Sequence, residues 1–165
     1  MGELRLVGAM LRHLIDQYRS APQVSRALVE WGETNASWLA GKTVKDVTID
    51  LDWLAKNAKR AAKSRESDDA LATITATLAD MLRLDDIDRR LLLHALVFDR
   101  RPRANALARA MTRAQVDMAT MVGIAAGAAN GSVARSSPVM RLGLFDLSQD
   151  YLAAPRIEPT WRFER

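Results

Sequence analysis

Apolar residues recur every three or four places from the start of the chain. Leu4, Val7, Leu11, Leu14 and Tyr18 form one stripe, and Glu3, Arg5, Arg12, Asp16 and Arg19 fill much of the remainder. That period puts the apolar side chains on one face of a helix. Pro22 suits the first turn of a second helix, where its missing amide would have had no partner. Val24, Ala27, Leu28 and Trp31 give this helix its apolar face, and Gly32 reads as its stop. Residues 33–50 lose the period and read as irregular, with Val47, Ile49 and Leu51 alternating as in a short extended piece. Asp50 or Asp52 can cap a helix over "LDWLAKNAKRAAK", whose later lysines and arginine suit the negative end of the helix dipole.

"SRESDD" is a polar break, and Ser67 followed by Asp68 and Asp69 makes a helix start. Beyond it, Leu71, Ile74, Leu78, Met81 and Leu82 recur at helical spacing. Asp85, Asp86 and Asp88 then place negative charge at the N-terminus of another helix. Ile87, Leu91, Leu92, Ala95 and Leu96 form its expected buried face, and Pro102 ends it. Three more helical pieces follow, "RANALARAM", "RAQVDMATMV" and "AAGAANGSVAR", with Thr112 and Gln115 matching a capping box. After "SSPVMRLG" the texture shifts to short alternating runs broken by Pro155 and Pro159, which read as a small β-hairpin. The pattern therefore predicts a mostly α chain: a helical region over residues 1–83, then a second helical unit over residues 84–165 with a C-terminal hairpin.

Composition agrees with helix: 48% of residues are apolar, with Ala and Leu dominant, and only 5% are aromatic. There is no cysteine, which removes disulfides, thiolate metal sites and thiol catalysis from this chain's repertoire. His13 and His94 lie far apart without a His or Cys at ligand spacing, so each is read as sitting at the edge of a helix face rather than in a zinc site. Charges interrupt the opening segment too often for a secretory h-region, and no run reaches the ~18 apolar residues of a membrane span. A cytoplasmic chain with no membrane contact is expected.

The tripeptide Gly41-Lys42-Thr43 has the ending of a phosphate-binding loop. Such a loop needs another glycine five positions earlier and a preceding buried strand. Ala36 occupies that position and no apolar strand precedes it, so an ordinary glycine turn is expected and no nucleotide cofactor. The carboxylates Asp85, Asp86 and Asp88, with His94 about two turns on, are the material for a small enzyme. Neighbouring acids at a helix start are more simply caps, and no catalytic residue is assigned. Trp31, Trp38, Trp53 and Trp161 are scattered and read as core or rim packing rather than as a base-stacking platform.

Two features point toward recognition. Gln115, Ala119 and Gly123 have helix-turn-helix spacing, with Gly123 at the turn. From Asp99 to Arg141, seven arginines face two aspartates, an excess of five positive charges able to hold a phosphate backbone. The candidate contact residues are Arg101, Arg103, Arg109, Arg113, Gln115, Asn130, Ser132, Arg135 and Arg141. Beyond Gly123, only Asn130, Ser132 and Arg135 are suited to base edges, so protein contact is favoured over sequence-specific reading of DNA.

The run "LDDIDRRLLLHAL … MATMVGIAAGAANGSVARSSPVMRLGLFDL" resembles the N-terminal, pre-core part of a group of bacterial AAA-type ATPases. Ser137, Pro138, Val139, Arg141, Leu142, Gly143 and Leu144 match that family's S-P-L-x-R-L-G-L phrase, with Val139 in place of the usual leucine. Leu84, Asp85 and Leu91–Leu93 match its opening helix. The resemblance implies a winged-helix-like unit over residues 84–165 that lies ahead of an ATPase core. It implies a non-catalytic recognition or regulatory module whose partner is a protein, duplex DNA or an ATPase core in cis. The alternative is a freestanding winged-helix regulator that binds DNA.

Overall fold

A computed structural model of the protein describes residues 2–64, 70–128 and 137–141. All the regular structure among these residues is helical. The helices are α1 (Glu3–Tyr18), α2 (Pro22–Ala40), α3 (Leu51–Ala61), α4 (Ala70–Met81), α5 (Asp86–Arg100), α6 (Pro102–Arg113), α7 (Met118–Ala125) and a single turn α8 (Pro138–Arg141). The expected β-hairpin and the "AAGAANGSVAR" helix fall mainly or wholly outside the described residues.

The apolar period of α1 builds the centre of the molecule. Leu6, Val7, Met10, Leu11, Leu14 and Ile15 are all buried, and Leu4 and Tyr18 flank them half-buried. α1 packs most extensively on α3 and also contacts α2, α5, α6 and α7. The α1–α3 approach is close because residue 8 has no side chain. A Cβ there would meet the Ala62 nitrogen at 2.7 Å and the Ala58 carbonyl oxygen at 2.9 Å. Buried residues on both sides of Leu84, from Leu6 to Val139, belong to one apolar cluster.

Caps set several boundaries. The Asp50 carboxylate accepts from the Trp53 amide at 2.7 Å and starts α3, and that of Asp85 accepts from the Asp88 amide at 2.8 Å and starts α5. Each satisfies an amide that the first helical turn leaves open. α5 ends at Arg100, and Pro102 takes the first position of α6.

Five local expectations are corrected. Gly32 does not stop α2, which continues for two more turns. The glycine is buried mid-helix because Leu54 of α3 presses on it, and a Cβ would meet Leu54 Cδ2 at 2.4 Å. Residues 33–40 are therefore helical, and the stop comes at Gly41 (φ 63°). Val47, Ile49 and Leu51 form no strand: Val47 is exposed and Leu51 opens α3. Thr112 and Gln115 form no capping box. Thr112 lies inside α6 with its hydroxyl on the Ala108 carbonyl (3.0 Å), Gln115 is left-handed (φ 63°), and Asp117 caps α7 by accepting from the Thr120 amide (3.0 Å). Gly123 is not at a turn but buried within α7; the turns fall at Gln115 before this helix and at Gly127 (φ 81°) after it. His94 lies in the interior rather than at a helix edge, because the Arg90 carbonyl oxygen 2.7 Å from Nδ1 satisfies the ring.

Candidate functional site

An open groove of about 400 Å³ lies between α2 and α6. Its position follows from a node that locks α1, α2 and the start of α6 together. Trp31 is buried and donates its indole N–H to the Arg103 carbonyl oxygen at 3.1 Å. The Arg103 guanidinium stacks over Trp38, 4.5 Å from the ring centre, an attraction between a cation and the negative ring face. Glu3 completes the node from α1: one carboxylate oxygen accepts from the Arg103 backbone N–H at 3.0 Å and the other lies 3.4 Å from the guanidinium. Arg101, the residue before α6, offers no side-chain cap, so the α1 carboxylate supplies it.

Beside this node the groove has an apolar floor of Ala27 and Trp31 from α2, Ala106 and Ala110 from α6, and Ala114 just after it. Ala106 and Ala110 lie one turn apart on one face of α6 and Ala114 follows at its C-cap, so small residues keep the groove open. Its rim is polar: Gln23, Arg26, Glu30, Thr34 and Asn35 on one side, Arg113 on the other. Asn35 is turned back onto its own helix, donating to the Trp31 carbonyl at 2.9 Å. Arg26 and Arg113 are both exposed.

The structure separates the arginines that the sequence grouped together. Arg100 pairs with Asp99 at 2.7 Å, and Arg103 is engaged by Glu3 and Trp38. Arg101 is half-buried at the α5–α6 junction. Arg109 and Arg113 stand exposed one turn apart on α6, and only Arg113 reaches the groove. Gln115 is exposed in the following turn. Arg141 ends α8, and Asn130, Ser132 and Arg135 lie outside the described residues. Sequence reasoning missed the α2 half of the groove because Gln23, Arg26 and Glu30 carry no local sign that α6 lies alongside them. The alanine repeat at 106, 110 and 114 was the available signal for the other half.

The groups considered for chemistry lie elsewhere. Asp85 caps α5, and Asp88 is buried, accepting from the hydroxyl of Ser137. Ser137 in turn accepts from the Val139 amide at 3.1 Å, so this pair fastens α8 to the head of α5. His94 is pushed down to about 4 because burial disfavours its charged form. His13 is lowered for the same reason, with the Arg12 charge adding to it. None of these residues lines the groove. No cluster of three or more metal-ligating side chains occurs among the described residues. Nor is any helix among them long and apolar enough to cross a membrane.

The Gly41 and Lys42 amides face α2. The Gly41 N–H donates to the Trp38 carbonyl and that of Lys42 to the Ser37 carbonyl, each at 3.1 Å, the pattern of a left-handed glycine stop. Arg60 from α3 donates to the Ala40 carbonyl of the same helix end. This segment closes a helix.

The fold thus defines the class: a helical assembly among its described residues, with a groove whose rim carries Arg26, Glu30 and Arg113. Compared with known proteins, the chain matches no protein family, no curated sequence and no solved structure.

Proposed function

We propose that the protein is a non-catalytic recognition module that seats an acidic, helical segment of a protein partner in the α2–α6 groove. The observation that supports this most is the pairing of an alanine-lined floor with two exposed guanidiniums, Arg26 and Arg113, on opposite rims. A helix laid against small residues approaches closely, and carboxylates on its flanks meet arginines that already face solvent. Rim charges of this kind set specificity and association rate more than affinity. The resemblance of residues 84–150 to the pre-core region of AAA-type ATPases extends the proposal: the bound segment is delivered to a motor.

Selection of peptides from a random display library tests the reading. Helical, acid-rich peptides should emerge, and their binding should be lost in Ala110→Trp, which fills the floor. The charge-reversed Arg26→Glu/Arg113→Glu protein should select basic peptides instead. Peptides that bind Ala110→Trp undiminished would overturn the proposal.

A second reading has its own support. Arg109 and Arg113, exposed one turn apart on α6, are spaced to follow a phosphate backbone. Fluorescence anisotropy with duplex DNA across a salt series separates the two. Binding that weakens steeply with salt, and further in Arg113→Ala and Arg135→Ala, supports a DNA-binding regulator; no binding at low salt removes it.

A further inference from the structure

α4 is built with its faces reversed. The residues it buries are small: Thr75 is 3% exposed and Ala79 0%, and the Thr75 hydroxyl is satisfied by the Leu71 carbonyl at 2.7 Å. These sit on α5, the neighbour α4 packs against among the described residues. The large apolar side chains point outward instead: Ile74 at 56% exposure, Leu78 at 39%, Met81 at 75% and Leu82 at 37%. Burial of large apolar groups is the main favourable term in folding, so a helix that turns them to solvent while hiding a threonine has a second surface to satisfy. Val47 is the one other large apolar side chain this exposed among the described residues, and it stands on a separate segment between α2 and α3.

Three properties of the stripe indicate what covers it. First, its phase is that of helix-on-helix packing. Leu71, Ile74, Leu78 and Met81 are spaced three, four and three, the alternation that keeps a seam on one side of a helix. Second, it carries almost no charge. Asp80 is the one ionisable residue in α4, and it is held by Arg89 of α5 at 2.6 Å. The residues beside the stripe, Thr73, Ala76 and Thr77, are exposed and neutral. A face with no charge of its own has nothing with which to select a charged partner or to reject its own copy. Third, its extent suits a symmetric pair. Four part-exposed side chains offer on the order of 400 Å² of apolar surface. Doubling this about a two-fold axis, with Thr73 and Thr77 at the edges, approaches the roughly 1,000 Å² at which specific association begins.

We propose that α4 is a self-association surface: two copies of the chain pair about a two-fold axis through the stripe of Ile74, Leu78, Met81 and Leu82. The contact is isologous, each α4 lying on the other, and its modest area places it among weak, reversible associations. The α2–α6 groove contributes nothing to this contact, so self-association and recognition stand or fall separately.

Sedimentation velocity over a concentration series, from about 1 µM to several hundred µM, covers the range of weak, reversible association. The full chain should move from its monomer mass of 18.3 kDa toward twice that value. Ile74→Lys/Met81→Lys should weaken the dimer by at least tenfold. Val47→Lys adds a charge at another exposed apolar residue and should leave it unchanged. A chain that stays monomeric throughout overturns the proposal, as does a dimer that ignores the α4 substitutions or weakens equally in Val47→Lys. Because the chain has no cysteine, Met81→Cys gives a single reporter thiol that does not depend on the lysine variants folding. It should react freely with a maleimide at low concentration and become protected as the dimer forms. Protection at every concentration would mean that another part of the same chain covers the stripe. Reactivity at every concentration would mean that nothing does. Either result would sink the inference.

Discussion

The Trp31 indole N–H and the Arg103 carbonyl oxygen are 3.1 Å apart across 72 positions of sequence, and their bond helps tie α2 to the head of α6. Arg103 is held from three sides: by Trp31 at its carbonyl, by Glu3 at its amide and by the Trp38 ring under its guanidinium. Trp31→Phe keeps most of the apolar volume and removes the donor. It should cost about 0.5–1.5 kcal/mol, the net worth of one part-buried hydrogen bond whose acceptor stays within the helical ladder of α6. For a chain of this size that lowers Tm by about 2–4 °C per kcal/mol, measurable by calorimetry. Glu3→Gln should cost less, because an amide oxygen still accepts from the Arg103 N–H.

Two glycines that lie mid-helix respond differently to a methyl group. Alanine favours helix over glycine by about 1 kcal/mol, so each substitution begins with a gain. At residue 8 the new Cβ meets backbone, the Ala62 nitrogen and the Ala58 oxygen, and α1 and α3 must move apart. At residue 32 it meets only the end of the Leu54 side chain, which can turn aside. Gly8→Ala should be net destabilising by about 1–2 kcal/mol after overpacking is set against the gain. Gly32→Ala should fall within about 1 kcal/mol of the wild type. Urea denaturation of the pair checks the order, and the reverse order would contradict the packing of α1 on α3.

Gly41 links a sequence motif to its physical cause. Its φ of 63° and the amide bonds of Gly41 and Lys42 to α2 carbonyls make it a helix stop. Gly41→Ala should therefore destabilise the chain by about 1–2 kcal/mol, the cost of a left-handed conformation for a residue with a Cβ. Lys42→Ala should be close to neutral, because that side chain is exposed. Thermal unfolding of the two variants separates a helix stop from a loop whose lysine matters to the fold.

What the sequence revealed divides by range. Local signals were legible: the apolar period of α1, a cap at Asp50 or Asp52, the acidic start of α5 and its end before Pro102 all depend on neighbours within one turn. Gly32 was misread because the reason for it, Leu54, lies on another helix. The α4 stripe predicted a helix correctly, but periodicity cannot say which face turns inward. The side chains α4 buries are Thr75 and Ala79, not its large apolar ones. Half of the groove was invisible for a related reason: nothing in "PQVSRALVEW" records that α6 lies alongside it. Arg113 was picked out by charge alone. Arg103, chosen on the same ground, is held by Glu3 and Trp38, partners distant in sequence.

The buried imidazole of His94 gives the fold an acid sensitivity with a definite window. Its Nδ1 is 2.7 Å from the Arg90 carbonyl oxygen, and burial holds its pKa down to about 4, below the ordinary 6.5. The unfolded chain therefore binds a proton in a range where the folded chain does not, and stability must rise with pH across that range. The neutral ring's contribution is fully present above pH 6.5. It is lost progressively as pH falls toward 4 and levels off below, and the loss amounts to roughly 3 kcal/mol in all. His13, also lowered by burial and by Arg12, adds to the slope in the same direction. His94→Gln retains an amide N–H able to reach the Arg90 carbonyl and cannot take up a proton. Its stability, measured by urea denaturation between pH 4 and 7.5, should vary less than the wild type's, with the difference concentrated below pH 6.5. An unchanged slope in His94→Gln would mean that the ring is not the group carrying the acid sensitivity.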